Sequence, residues 1–124
     1  MKVLLADDSA VMRKIIGRGL NHLWIDEIVE AADGVEALEA FGNGEGIDLV
    51  LTDWNMPRMS GLELVQAIRG AGHKVPIMMI TTETEKKQVV LAIQAGVNDY
   101  LVKPFDQDTL RVKLGRVLPK RQPT

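Results

Sequence analysis

Four apolar runs in the chain each end at a residue able to do chemistry. Val3 to Ala6 stops at Asp7 and Asp8, Leu49 to Leu51 at Thr52 and Asp53, Ile77 to Ile80 at Thr81, and Leu101 to Val102 at Lys103. If the runs are parallel strands, these polar groups gather at one edge of a sheet. Three carboxylates in a partly buried site repel by several kcal/mol unless a cation or a proton intervenes. Facing one ammonium and one hydroxyl, they suit a divalent metal and a phosphoryl group. Mg2+ is the natural metal, since it takes oxygen ligands, keeps several waters and commonly uses only one or two carboxylates plus phosphate oxygens. An Asp-Asp pair could also cap a helix, as could Ser9; the addition of Asp53 favours the metal.

Asp53 is the candidate nucleophile, because a carboxylate can take a phosphoryl group as an acyl phosphate when cations neutralise the charge on the transferred oxygens. Lys103 supplies a cation, and a cis bond to the following Pro104 would aim its ammonium back into the crevice. The Thr81 hydroxyl can donate to a phosphate oxygen. Tyr100, the only tyrosine, lies in the run that leads to Lys103. Alternation alone leaves it open between edge-strand packing and a part in the site.

The elements that would position these groups alternate short Val-, Ile- and Leu-rich runs with longer stretches of helical period, which argues for β-α-β units and a parallel sheet. Five strands are expected, at Lys2 to Ala6, Glu27 to Ala31, Asp48 to Thr52, Val75 to Thr81 and Asp99 to Val102. The glutamates at 27 and 30 suit an edge. In the first helix, Val11, Met12, Ile15, Ile16 and Leu20 are expected on one buried face. Asp33 and Glu36 resemble a capping box opening a second helix to about Phe41, and Gly42 to Gly46 reads as the turn that follows. Further helices are expected from about Ser60 to Ala71, Thr84 to Ala95 and Asp106 to Leu118. For Asp7, Asp8 and Asp53 to share a site, the first and third strands must be neighbours, which makes the strand order 2-1-3-4-5.

At 124 residues the chain is expected to form one domain over residues 1–118, able to bury roughly two thirds of its unfolded surface, with 119–124 as a tail. Cysteine is absent, which excludes a disulfide framework or thiolate metal site. No stretch approaches the ~20 apolar residues of a membrane span, and no signal peptide is evident; a cytoplasmic protein without membrane insertion is expected. Fifteen basic against seventeen acidic residues give a net charge of -2, which argues against direct binding of nucleic acid.

The chain resembles the receiver domain of bacterial two-component response regulators, most nearly the single-domain chemotaxis type. The likeness runs from Lys2 to about Leu118. It rests on Leu4-Leu5-Ala6-Asp7-Asp8-Ser9, on Asp48 through Pro57, on Ile77-Met78-Met79-Ile80-Thr81, on Gln94-Ala95-Gly96, and on Tyr100-Leu101-Val102-Lys103-Pro104-Phe105. The resemblance implies the doubly wound, five-stranded flavodoxin-like fold in the order 2-1-3-4-5. It implies phosphorylation of Asp53 by a histidine kinase in a Mg-dependent reaction, with Asp8 on the metal directly, Asp7 largely through water and the backbone carbonyl of Asn55 as a further ligand. Lys103 and Thr81 would contact the phosphoryl oxygens, and Tyr100 would swing inward as Thr81 moves. Such a protein is not an enzyme in the ordinary sense but a phosphoacceptor that assists its own phosphorylation and dephosphorylation, at a rate influenced by Asn55 and Glu83. Thr82 would narrow access to the phosphoryl group.

The implied output is an interaction through the fourth helix, fifth strand and fifth helix with a partner such as a flagellar motor switch component. Val89, Val90 and Leu91 are consecutive and span about 200° of a helix, more than one buried face covers. At least one should be exposed, either as tolerated surface apolarity or as a docking patch rimmed by Tyr100, Lys86 and Lys87. The alternative to a free-standing switch is a receiver cut from a larger regulator with a DNA-binding or enzymatic output domain. A phosphatase of the haloacid dehalogenase class would carry a second Asp where Asn55 stands. A flavodoxin-type flavin site would place a phosphate-cradling loop where Asp7 and Asp8 would repel it.

Overall fold

A computed structural model describes residues 1–118; the expected tail at 119–124 lies outside the described residues. Five strands and five helices alternate: β1 (Lys2–Ala6), α1 (Ala10–His22), β2 (Glu27–Ala31), α2 (Gly34–Phe41), β3 (Leu49–Thr52), α3 (Gly61–Gly70), β4 (Ile77–Thr81), α4 (Lys86–Ala95), β5 (Asp99–Val102) and α5 (Gln107–Val117). All pairings are parallel, in the order β2-β1-β3-β4-β5. The expected architecture is therefore the observed one, with β2 at an edge and Glu27 and Glu30 exposed on it.

Side chains alternate between the two faces of the sheet, and each face buries its own cluster. Val3, Leu5, Leu49, Leu51, Met78 and Ile80 pack with Ile16 and Leu20 of α1 and Leu110 and Leu114 of α5. Leu4, Val50, Ile77 and Met79 pack with Ala37 and Phe41 of α2, Leu64, Val65 and Ile68 of α3, and Ala92 of α4. Because β1, β3 and β4 are covered on both sides, they read as unbroken apolar runs.

Five element starts differ from the expected ones, β3 among them, which begins at Leu49 rather than Asp48. β4 begins at Ile77 rather than Val75, since Pro76 has no N–H for the ladder. Ser60 and Asp106 are N-caps rather than helical residues, their side chains accepting from the Glu63 and Thr109 amides. α4 begins at Lys86 rather than Thr84, and its N-cap, Glu85, makes no side-chain capping bond.

The α1 face needs correction. Met12, Ile16, Gly19, Leu20 and Leu23 turn inward, while Val11 and Ile15 are 68% and 49% exposed. At 100° per residue, Val11 and Ile15 lie to one side of that inward stripe. Gly19, at the edge of the stripe nearest Ile15, meets α5 so closely that a Cβ there would sit 2.8 Å from Leu110.

The capping box expected at Asp33 and Glu36 is half formed. Asp33 Oδ1 accepts from the Glu36 amide at 2.8 Å, and Arg58 takes up the rest of the carboxylate. The complete box stands at Ser60 and Glu63, opening α3.

Candidate functional site

Parallel register carries the chemistry to one edge. Ala6 pairs with Thr52 and Thr81 with Val102, so Asp7, Asp53 and Lys103 each lie one residue past a paired strand end. The ladder continues through them: Asp7 N–H donates to Ala31 O at 3.0 Å, Asp53 N–H to Ala6 O at 2.9 Å, and Lys103 N–H to Thr81 O at 2.9 Å. Their Cα atoms are thus placed by the sheet itself rather than by loops.

Asp7, Asp8 and Asp53 each bring a carboxylate oxygen within 4.8 Å of the others. Asp7 is 1% exposed, Asp53 half-buried and Asp8 exposed. Lys103 Nζ bridges two of the three, at 2.7 Å from Asp7 Oδ2 and 3.0 Å from Asp53 Oδ2, and the Lys103–Pro104 peptide is cis. Burial works to push the Lys103 ammonium down; the hydrogen bonds and charges of Asp7 and Asp53 outweigh it, and its pKa is raised. The other oxygens are partly engaged, Asp53 Oδ1 accepting from the Trp54 amide at 2.6 Å and Asp7 Oδ1 from the Ser9 amide at 2.9 Å. Ser9, not Asp8, caps α1, accepting from the Met12 amide, which leaves Asp8 free of the capping role.

One ammonium against three carboxylates leaves an excess of two negative charges. The donors are all hard oxygen, one of them exposed and without an ion pair among the described residues. This set fits a hard divalent cation.

The remaining expected residues surround this centre. Thr81 is fully buried, and its Oγ1 accepts a long bond of 3.4 Å from the Glu83 amide. Asn55 is exposed, and its side-chain amide donates to Glu83 Oε1 at 3.1 Å. The two positions expected to set the acyl phosphate lifetime therefore touch each other. Tyr100 already points inward, 8% exposed, with its hydroxyl donating to Glu83 O at 2.8 Å. Burial, with the charges of Glu83 and Asp53, pushes the Tyr100 phenol up to about 12. Tyr100 is thus buried rather than on the rim of the α4 surface, whereas Val90 and Leu91 are exposed, at 40% and 44%.

Sequence reasoning missed two arginines. Arg13 donates to the carbonyl of Asp7 and, through Nε, to Glu30 Oε1 at 2.9 Å. Arg58 grips Asp33. Arg13 carried a faint signal, one turn into the helix after Asp7; Arg58 carried none, because its partner is 25 residues away.

A parallel α/β sheet with an acidic, lysine-bridged pocket at its carboxyl edge is the arrangement expected of a receiver domain. Residues 3–115 match the response regulator receiver domain, and the chain belongs to that family. Over 120 residues it is 47% identical to a chemotaxis protein CheY homolog of Campylobacter jejuni, covering 95% of this chain and 92% of the relative. It is 46% identical to chemotaxis protein CheY1 of Helicobacter pylori, covering 95% and 97%. Among solved structures, Vibrio cholerae CheY4 superposes with a TM-score of 0.84 at 39% identity, covering 94% of this chain and 98% of that one. A chain of the CheX-CheY-BeF3-Mg+2 complex from Borrelia burgdorferi superposes with a TM-score of 0.91 at 27% identity, covering 97% and 90%. The chain is a phosphorylation-dependent chemotaxis response regulator, a signalling switch rather than a classical enzyme. No helix among the described residues is long and apolar enough to cross a membrane.

Proposed function

We propose that Asp53 accepts the phosphoryl group from the phosphohistidine of a histidine kinase, forming a P–O bond to its carboxylate as the P–N bond to the imidazole breaks. The observation that carries this reading is the Lys103 ammonium held 2.7 Å from Asp7 and 3.0 Å from Asp53. It stands ready to neutralise a transferred phosphoryl oxygen. Asp7, Asp8, Asp53 and the backbone carbonyl of Asn55 would hold Mg2+, which supplies charge neutralisation across the transferring oxygens when bound. The CheY of Borrelia burgdorferi in complex with Mg+2 and BeF3 supports that choice of metal by analogy. The chain's own residues assist both phosphorylation and hydrolysis by orienting and neutralising, with Asn55 and Glu83 tuning the second reaction.

Thr81 and Tyr100 then form the switch. Turning the Thr81 hydroxyl toward the phosphoryl group gives up its long bond from Glu83 and shifts the β4–α4 loop. Tyr100 is bonded to that same loop and carries the change to the α4, β5 and α5 face. Val90 and Leu91, rimmed by Lys86 and Lys87, would meet an output protein in the cytoplasm, a flagellar motor switch component in a chemotaxis pathway.

The test is mass spectrometry of the protein treated with acetyl phosphate and Mg2+. One phosphoryl group should appear on the peptide containing Asp53, vanish with chelator and vanish in Asp53→Asn. Normal incorporation in Asp53→Asn would overturn the assignment.

A further inference from the structure

The loop between β3 and α3 must present the Asn55 carbonyl to a metal that demands near-ideal octahedral geometry. Surface loops are ordinarily the mobile part of a fold, and here three ties bind this one. Its base is closed by Gly61 N–H donating to Trp54 O at 2.8 Å, so tightly that a Cβ on Gly61 would lie 1.8 Å from Asp53 O. Its flank meets the start of α2, where Gly34 N–H donates to Met59 O at 3.1 Å and a Cβ on Gly34 would lie 2.3 Å from that oxygen. The third tie is a side-chain fork: Arg58 Nε donates to Asp33 Oδ2 at 2.9 Å and Nη2 to Asp33 Oδ1 at 3.1 Å.

Arg58 makes this fork from the left-handed region, at φ 65°, which a long side chain rarely adopts and which offsets part of what the pair contributes to folding. Asp33 is buried but the Arg58 end of the pair is exposed, and solvent at that end discounts what the pair contributes to folding. The pair therefore adds little net folding stability, and its geometric effect is to hold the crest of the loop against the N-terminus of α2. Asn55, three residues before Arg58, has only the exposed contact with Glu83 to hold its own side chain.

We infer that Arg58 and Asp33 are positioning residues that clasp the β3–α3 loop so that the Asn55 carbonyl stays aimed at the metal. This rests on the proposed reading of Asp7, Asp8, Asp53 and Asn55 as the Mg2+ ligands. Neither residue touches the metal or the phosphoryl group; both act through the backbone of the loop.

Two substitutions separate the clasp from folding. Arg58→Asn removes the fork, and asparagine tolerates the left-handed backbone. Asp33→Asn removes the carboxylate but keeps an oxygen to cap α2. Mg2+ is titrated calorimetrically into the native protein, each variant and the double variant, with thermal unfolding of each metal-free form alongside. Each single variant should unfold near the native temperature yet bind Mg2+ about tenfold more weakly, as loss of an outer-shell support does. The double variant should bind no more weakly than either single one, because both changes break the same clasp. Native Mg2+ affinity in both single variants, or losses that add in the double variant, would overturn the clasp while leaving the site reading intact. A native protein that takes up no Mg2+ would overturn the site reading and the clasp with it.

Discussion

The hydroxyl of Tyr100 donates to the backbone carbonyl of Glu83 at 2.8 Å, while the amide of the same Glu83 donates to Thr81 Oγ1 at 3.4 Å. One peptide segment thus joins the residue that would sense the phosphoryl group to the residue that would report it. The weaker of the two bonds faces the site, so the sensing end is the easier to break. The Glu83 side chain adds a third tie, accepting from Asn55, and links the β4–α4 loop to the loop that follows Asp53.

Tyr100→Phe should loosen this segment without unfolding the protein, at a stability loss of about 1 kcal/mol for the missing hydrogen bond. Hydrogen exchange should quicken in residues 82–86 and stay native in β1 and β3. Equal acceleration throughout the sheet would contradict a local tether.

The same phenol has a pH signature. Its pKa is raised from 10.0 to about 12, so the neutral form is favoured in the folded state. The stability it contributes is present below pH 10 and is lost as pH rises toward about 12. Chemical unfolding at a series of alkaline pH values should therefore show the advantage of the native protein over Tyr100→Phe shrinking across that interval. A constant difference would rule out the buried phenol as its source.

Relief of charge repulsion at the acidic pocket is measurable in the absence of metal. Asp8 lies beside Asp7 and Asp53 with no ion pair of its own among the described residues. Asp8→Asn should raise the stability of the metal-free protein by about 1 kcal/mol, discounted for exposure, and abolish stabilisation by added Mg2+. Lys103→Met should do the reverse, since removing one partner of a buried pair leaves uncompensated charge and costs about 3 kcal/mol or more. Mg2+ should restore part of that loss. Melting temperatures with and without Mg2+ check both.

Thr81→Ala should still be phosphorylated, because Asp53, Lys103 and the other carboxylates remain, but its response to phosphorylation should fall. Turning a switch from mostly off to mostly on takes about 5.5 kcal/mol, and charge-assisted hydrogen bonds contribute roughly 1.5 to 3 kcal/mol each. Losing one contact leaves a partial shift. Affinity for an output partner, measured with and without phosphodonor, should show a reduced ratio in Thr81→Ala and a near-native ratio in Thr81→Ser.

Val90→Ala and Leu91→Ala on α4 remove side chains that are already 40% and 44% exposed. Each should change folding stability by about 0.5 kcal/mol or less while weakening partner binding by the phosphorylated form. Unchanged affinity across both would remove α4 from the docking surface.

Much of this molecule is legible in its sequence. Sharp polar stops after apolar runs located Asp7, Asp53, Thr81 and Lys103 at one sheet edge, and the need to bring Asp7, Asp8 and Asp53 together led to the strand order that the structure has. The glutamates of β2 marked an edge because charge on an inner strand would be buried on both faces. Local misreadings came where two signals competed. Val11 and Ile15 looked like core because their spacing fits a helix face, yet the buried stripe is centred on Ile16 and Leu23, about 100° or more round the helix from them, and leaves both exposed. Asp33 and Glu36 resembled a capping box, yet only the Asp33 half formed, its oxygen accepting from the Glu36 amide.

By itself the sequence determined the strands, the helices and the chemical type of each strand-end residue, because periodicity and capping are local properties of neighbouring side chains. Only the tertiary structure decided which of those residues touch. Lys103 selects Asp7, 96 residues away, and Asp53, 50 residues away, and leaves Asp8 without an ion pair among the described residues. Tyr100 turns inward onto Glu83, and Arg58 reaches back to Asp33. Such pairings depend on register and on helix placement across the sheet, and no window of neighbouring residues carries that information.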